Sequence, residues 1–136
     1  MQKQAIRPWV FITTIFGIHA YAHASCNSQN FNSHADQIAC EIRQTKMTSI
    51  EVDRTFEKVM AANQRFEKNP GTARGLFTHA LTSDQAGWRV WITEDCKLQG
   101  DVSMGTAGSD IEQACLQNAY LQRIKTLQHI ATTLGS

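Results

Sequence analysis

The stretch "QAGWRVWITEDC", Gln85 to Cys96, decides how this chain reads. Trp88 and Trp91 stand three residues apart, which places them on neighbouring positions of one helical face. The five residues "WRVWI" are the lone candidate for a strand in the chain, but their flanks carry helical spacing. Upstream, Phe77 and Leu81 fall on the same stripe as Trp88, Trp91 and Ile92. A helix from about Thr72 to Lys97 is therefore expected, with its tryptophans packed in the core. A pair of tryptophans exposed at a partner surface is the sharper alternative, because each indole joins a large apolar body to one N–H donor.

Working outward, the rest of the chain also reads as helix. Residues Ser33 to Gln44 suggest a short first helix, with Ile38 and Ile42 four apart. "TSIE", Thr48 to Glu51, has the form of a capping box that would open a second helix. Val52, Phe56, Val59, Met60, Asn63 and Phe66 then recur at helical spacing. "KNPG", Lys68 to Gly71, breaks that run. "LQGDVSMGTAG", Leu98 to Gly108, holds three glycines and no periodicity, so it is expected as a loop. "SDIE" at Ser109 to Glu112 is a second capping box, and Ile111, Cys115, Ala119, Ile124, Leu127 and Ile130 follow it. Acids open this last helix (Asp110, Glu112) and Arg123, Lys125 and His129 lie toward its end, an order that suits the helix dipole. The fold class is all-α: a small antiparallel bundle of three long helices and one short one, with two disulfides.

The beginning of the chain sets the compartment. Lys3 and Arg7 precede the apolar run "WVFITTIFGI", Trp9 to Ile18, which is too short for a bilayer core of roughly 30 Å. Ala22, His23 and Ala24 form the small-x-small pattern of a secretory cleavage site. Residues 1–24 are read as a signal peptide and residues 25–136 as one helical domain in the periplasm or outside the cell. His23 stands where a lipoprotein signal needs leucine. Without Lys3 and Arg7, 11 basic residues face 12 acidic ones, which excludes a polybasic nucleic-acid surface.

All four cysteines, Cys26, Cys40, Cys96 and Cys115, lie beyond the cleavage site. An even count in an exported chain implies disulfides. Three connectivities are open. The nearest-neighbour pairing, Cys26 with Cys40 and Cys96 with Cys115, is favoured because each pair closes a short loop beside a helix start. A zinc site with His34 is the competing reading, and no C-x-x-C spacing supports it.

The order of these features resembles a known family. Two cysteines fourteen apart are followed by "VDRTFEKV" with Asp53, then by Gln85, Trp88, Trp91 and Cys96. "GTAGS" ends on Gly108 and Ser109, and Cys115, Arg123 and Leu127 close the pattern. This set is similar to the LprI-like N-terminal domain family of exported bacterial helical proteins, whose naming member is a lysozyme inhibitor. The resemblance runs from about residue 26 to residue 127. The family usually carries Tyr-Arg-Asp where this chain has Trp91, Ile92 and Thr93, so a typical arginine is missing, and Tyr120 stands where threonine is common.

Beside the resemblance, Asp53 and Gln85 lie near apolar stripes and suit polar contacts between helices. Arg123 is the expected partner of Asp53, with Asp110 as its local alternative. Gly105 and Gly108 are expected to allow a tight, positive-φ path into a cap at Ser109. The resemblance implies a protein-binding module, an inhibitor of lysozyme. A loop held by a Cys96–Cys115 bond would be ordered before binding. Lys97, Asp101, Ser103 and Met104 are its candidate contacts: Lys97 for a carboxylate in the muramidase cleft, Asp101 for basic residues at its rim. An immunity or envelope-stress protein that binds a toxin is the alternative.

Enzyme chemistry is not expected. His34, His79 and His129 are scattered over three expected helices, the cysteines are expected as disulfides, and no phosphate loop, dinucleotide fingerprint or metal triad appears. No cofactor is expected, and a cofactor box from Trp88, Trp91 and Met104 is set aside in favour of packing.

Overall fold

The computed structural model describes residues 26, 31–72, 75–103, 105 and 107–135. The expected signal peptide, residues 1–24, and Met104 lie outside them. Three helices follow in order: α1 (His34–Phe66), α2 (Leu76–Val102) and α3 (Gly108–Gly135). No strand occurs among the described residues. The all-α class follows the helical periodicity and the two disulfides follow the cysteine count, while the bounds of the helices differ from those expected.

The short first helix does not exist as a separate element. Residues 34–66 form one helix of 33 residues, about 50 Å long. Its cap is Ser33, whose backbone is extended and whose hydroxyl oxygen accepts the N–H of Asp36 at 3.2 Å. "TSIE" is not a cap, because Thr48 satisfies its hydroxyl another way: Oγ1 donates to the Gln44 carbonyl at 3.0 Å. Thr55 does the same to Glu51 at 2.8 Å. Such back-bonding lets a threonine sit inside a helix. No glycine or proline interrupts residues 34–66, so nothing stops propagation from one capping signal through the other.

α1 ends before Pro70, and Gly71 turns the chain at φ +88°. α2 begins at Leu76, later than expected, and runs on through residues 98–102, so the expected long loop shrinks to residues 103–107. Gly105, at φ +100°, makes that short turn possible. α3 starts at Gly108, so Ser109 lies inside the helix instead of capping it. Gly108 is not a positive-φ residue. It is needed for closeness: a Cβ on it would lie 2.8 Å from the Gly100 carbonyl oxygen, and a Cβ on Gly100 would lie 2.8 Å from the Gly108 oxygen. The two helix ends therefore touch backbone to backbone.

α2 runs antiparallel to both neighbours in the chain, since Asn63 meets Thr78 and Ser49 meets Arg89, while Gln85 meets Arg123 and Cys96 joins Cys115. α3 packs against both α1 and α2, which meet each other only sparsely. The core follows from that arrangement. Val52 and Val59 of α1, Ile92 and Cys96 of α2, and Leu116, Tyr120 and Leu127 of α3 form one buried cluster. Phe56, Leu81, Trp88 and Ile124 pack around it. Full burial of such side chains stabilises by about 1.5–3 kcal/mol each. Disulfides join Cys26 to Cys40 and Cys96 to Cys115, the nearest-neighbour connectivity. The second one locks the α2–α3 corner beside the Gly100–Gly108 contact.

Candidate partner-binding surface

Two arginines fix how α2 sits on the bundle. Arg123 of α3 lies over the Trp88 ring at 5.1 Å and donates from Nε to Gln85 Oε1 at 2.9 Å. Its Nη2 meets Asp84. The guanidinium is nearly enclosed, with 10% of its side chain exposed, so it has the geometry of a buried, fully engaged cation. Gln85 is buried beside it.

Asp53 does not meet Arg123. Its partner is Arg89 of α2, which also donates to the Ser49 hydroxyl at 2.9 Å and the Ser49 carbonyl at 3.2 Å. Arg89 also lies 5.9 Å from the Tyr120 ring centre. Asp53 is largely exposed, so it needs no buried counter-charge. Asp110 does not meet Arg123 either; its Oδ2 lies 3.8 Å from the His34 imidazole Nε2. Sequence reasoning missed Arg89. Its partners lie 36 and 40 residues away on α1, a separation that leaves no local pattern.

The expected contacts Lys97 and Asp101 lie on the last turns of α2 and not in a loop. They pair with each other, Nζ to Oδ2 at 2.6 Å. That hydrogen bond and the Asp101 charge push the Lys97 ammonium above its ordinary range. Ser103 caps the helix end and donates to Gln99 O at 2.7 Å.

The tryptophans divide. Trp88 is half-buried and packs against the core, tilted against Tyr120 with ring centres 5.9 Å apart. Trp91 does not: it is 59% exposed, and Phe77 is exposed too. A position three residues on is rotated by about 60°, enough to carry the second ring off the buried face of a helix that rests mainly on α3. Val90, Leu98 and Val102 share that outer side and are 59–67% exposed.

The early turns of α1 and α3 line a groove of about 380 Å³ whose walls include Cys26, Glu41, Gln44, Asp110, Gln113 and Gln117. No group of three His, Cys, Asp or Glu among the described residues can hold a metal ion. No helix among them is long and apolar enough to cross a membrane.

The arrangement is a scaffold whose interior is given over to packing and whose outer α2 side is open. A family model described as lysozyme inhibitor LprI matches residues 25–127. The chain belongs to the LprI family. The matched segment takes in both disulfides, the Arg89 and Arg123 networks and the whole α2–α3 corner. It ends at Leu127, the fully buried residue of α3. No curated protein and no solved structure matches this LprI-family chain.

Proposed function

We propose that this protein is an exported inhibitor of a muramidase, cleaved after Ala24 and acting in the periplasm or outside the cell as a folded, oxidised domain. The observation that carries the reading is the family match over residues 25–127. Two features support it. Both cysteine pairs are joined, which fits an oxidising compartment. All cysteines of the chain are thus consumed, which leaves no thiolate nucleophile and favours binding over catalysis.

An inhibitor must present a surface that is already ordered, since immobilising flexible groups on binding costs affinity. Two disulfides and two interhelical arginine networks supply that order here. The test is a cell-wall lysis assay with the oxidised Ser25–Ser136 protein and a purified c-type lysozyme. Lysis should stop near one molar equivalent. Undiminished lysis at a large excess of the protein overturns the reading and leaves a toxin or another envelope partner as the ligand.

A further inference from the structure

We infer that the outer ridge of α2, centred on Trp91 and continued by Leu98 and Val102, is the surface on which a basic protein partner docks. The inference rests on the inhibitor reading and says where on the molecule that contact is made.

The ridge is continuous. Leu98 and Val102 follow Trp91 by seven and eleven residues, so all three lie along one line of the helix. Val90 stands at its edge. From Trp91 to Val102 the ridge is about 16 Å long, enough to form the centre of an interface of about 800 Å² per partner. Exposed tryptophan is the residue type most enriched among binding hot spots.

Charge decides what kind of partner fits. Glu94 and Asp95 lie three and four residues after Trp91, one on each side of the ridge. Neither has an ion-pair partner among the described residues; Asp95 accepts only the neutral amide of Gln99 at 2.8 Å. The nearby cations are engaged elsewhere, Lys97 with Asp101 and Arg89 with Asp53. The apolar ridge is therefore rimmed by free carboxylates, which complement a basic partner and would repel a second copy of the same ridge.

Helix energetics runs against this composition. The last turn of α2 holds no base, and Glu94, Asp95 and Asp101 lie in its C-terminal half, where the dipole disfavours negative charge. Large apolar side chains are exposed in the same place. Two local rules broken together on an otherwise consistent helix mark a surface kept for contact.

The experiment measures binding of the oxidised protein to c-type lysozyme at low and moderate salt. Trp91→Ala should raise Kd by about 30-fold or more, the level of a hot spot. Glu94→Lys with Asp95→Lys should slow association about tenfold at low salt and flatten its salt dependence. Ile42→Ala, an exposed apolar residue of α1, should leave Kd within about twofold. Circular dichroism checks that each variant is folded. If wild type binds and the α2 variants bind equally well, the ridge is wrong and the inhibitor reading stands. If wild type binds no lysozyme, the reading and the ridge fall together. A Trp91-dependent dimer seen by sedimentation assigns the ridge to self-association and overturns the proposal.

Discussion

The Glu67 carboxylate caps the helix that begins after it: its Oε1 accepts the backbone N–H of Thr78, in the first turn of α2, at 3.3 Å. The cap residue proper, Gly75, has no side chain to do this. The same oxygen accepts Asn63 Nδ2 at 2.9 Å and the Thr78 hydroxyl at 3.3 Å. One carboxylate thus closes the α1–α2 corner and places a negative charge at the positive end of α2.

That geometry makes the corner acid-sensitive. The Asn63 amide, with the backbone groups of Gly75 and Thr78 and the Thr78 hydroxyl, holds the Glu67 carboxyl below the usual carboxylate range, against a smaller opposing effect of burial. A lowered folded-state pKa contributes stability above the unfolded value and loses it as pH falls through the folded one. Glu67→Gln should therefore melt lower than wild type at neutral pH, and the two melting curves should converge as the solution is acidified through the carboxylate range. A gap of constant size at every pH would show that the charge contributes nothing.

The Gly100–Gly108 contact predicts opposite signs for two kinds of glycine substitution. Gly108→Ala places a methyl 2.8 Å from a backbone oxygen that cannot swing away, so the corner must open. A loss of about 1–3 kcal/mol is expected, the range of overpacking. Gly87 is a helical glycine of α2 whose added Cβ meets nothing within 4 Å. Gly87→Ala should stabilise by about 0.5–1 kcal/mol, the helix-propensity difference. Urea unfolding of both variants checks the pair, and equal signs would contradict the backbone contact.

The α2–α3 disulfide spans 19 residues. Closing a loop of that size restricts the unfolded chain by about 3 kcal/mol. Cys96→Ala with Cys115→Ala should lower stability by about that amount or more, because Cys96 is itself a fully buried member of the core. Thermal melts with and without reductant provide the check; identical melts for the wild-type protein would mean that the bond restrains nothing.

What the chain declared in advance was its periodicity. Val52, Val59, Ile92 and Leu127 are apolar at helical spacing, and each ends up buried. Local signals misled where a second use of the same residues existed. Thr48 could cap a helix or back-bond within one, and only the uninterrupted run on either side favours the second. Gly100 and Gly108 signalled a loop, yet they serve close packing of two helix ends. Charge pairing was the least legible. The partners of Asp53 and Arg123 depend on how α2 is rotated between its neighbours, which no spacing within one helix encodes. The same rotation turns Trp91 outward, so the candidate surface became readable only with the fold.

That rotation is tested most directly by the two tryptophans of the opening stretch. Trp88 touches Tyr120, carries the Arg123 guanidinium on its face and packs on the buried cluster. Removing its ring leaves a void and strips a nearly enclosed cation of one of its contacts. Trp88→Ala should cost about 3–5 kcal/mol, the range for large aromatics in cores. Trp91 is 59% exposed, so Trp91→Ala should change stability by no more than about 0.5 kcal/mol. Chemical denaturation of the two variants, followed by far-ultraviolet circular dichroism, separates the cases. Similar losses at both positions would mean that α2 presents both rings to the core, and the open ridge on its outer side would not exist.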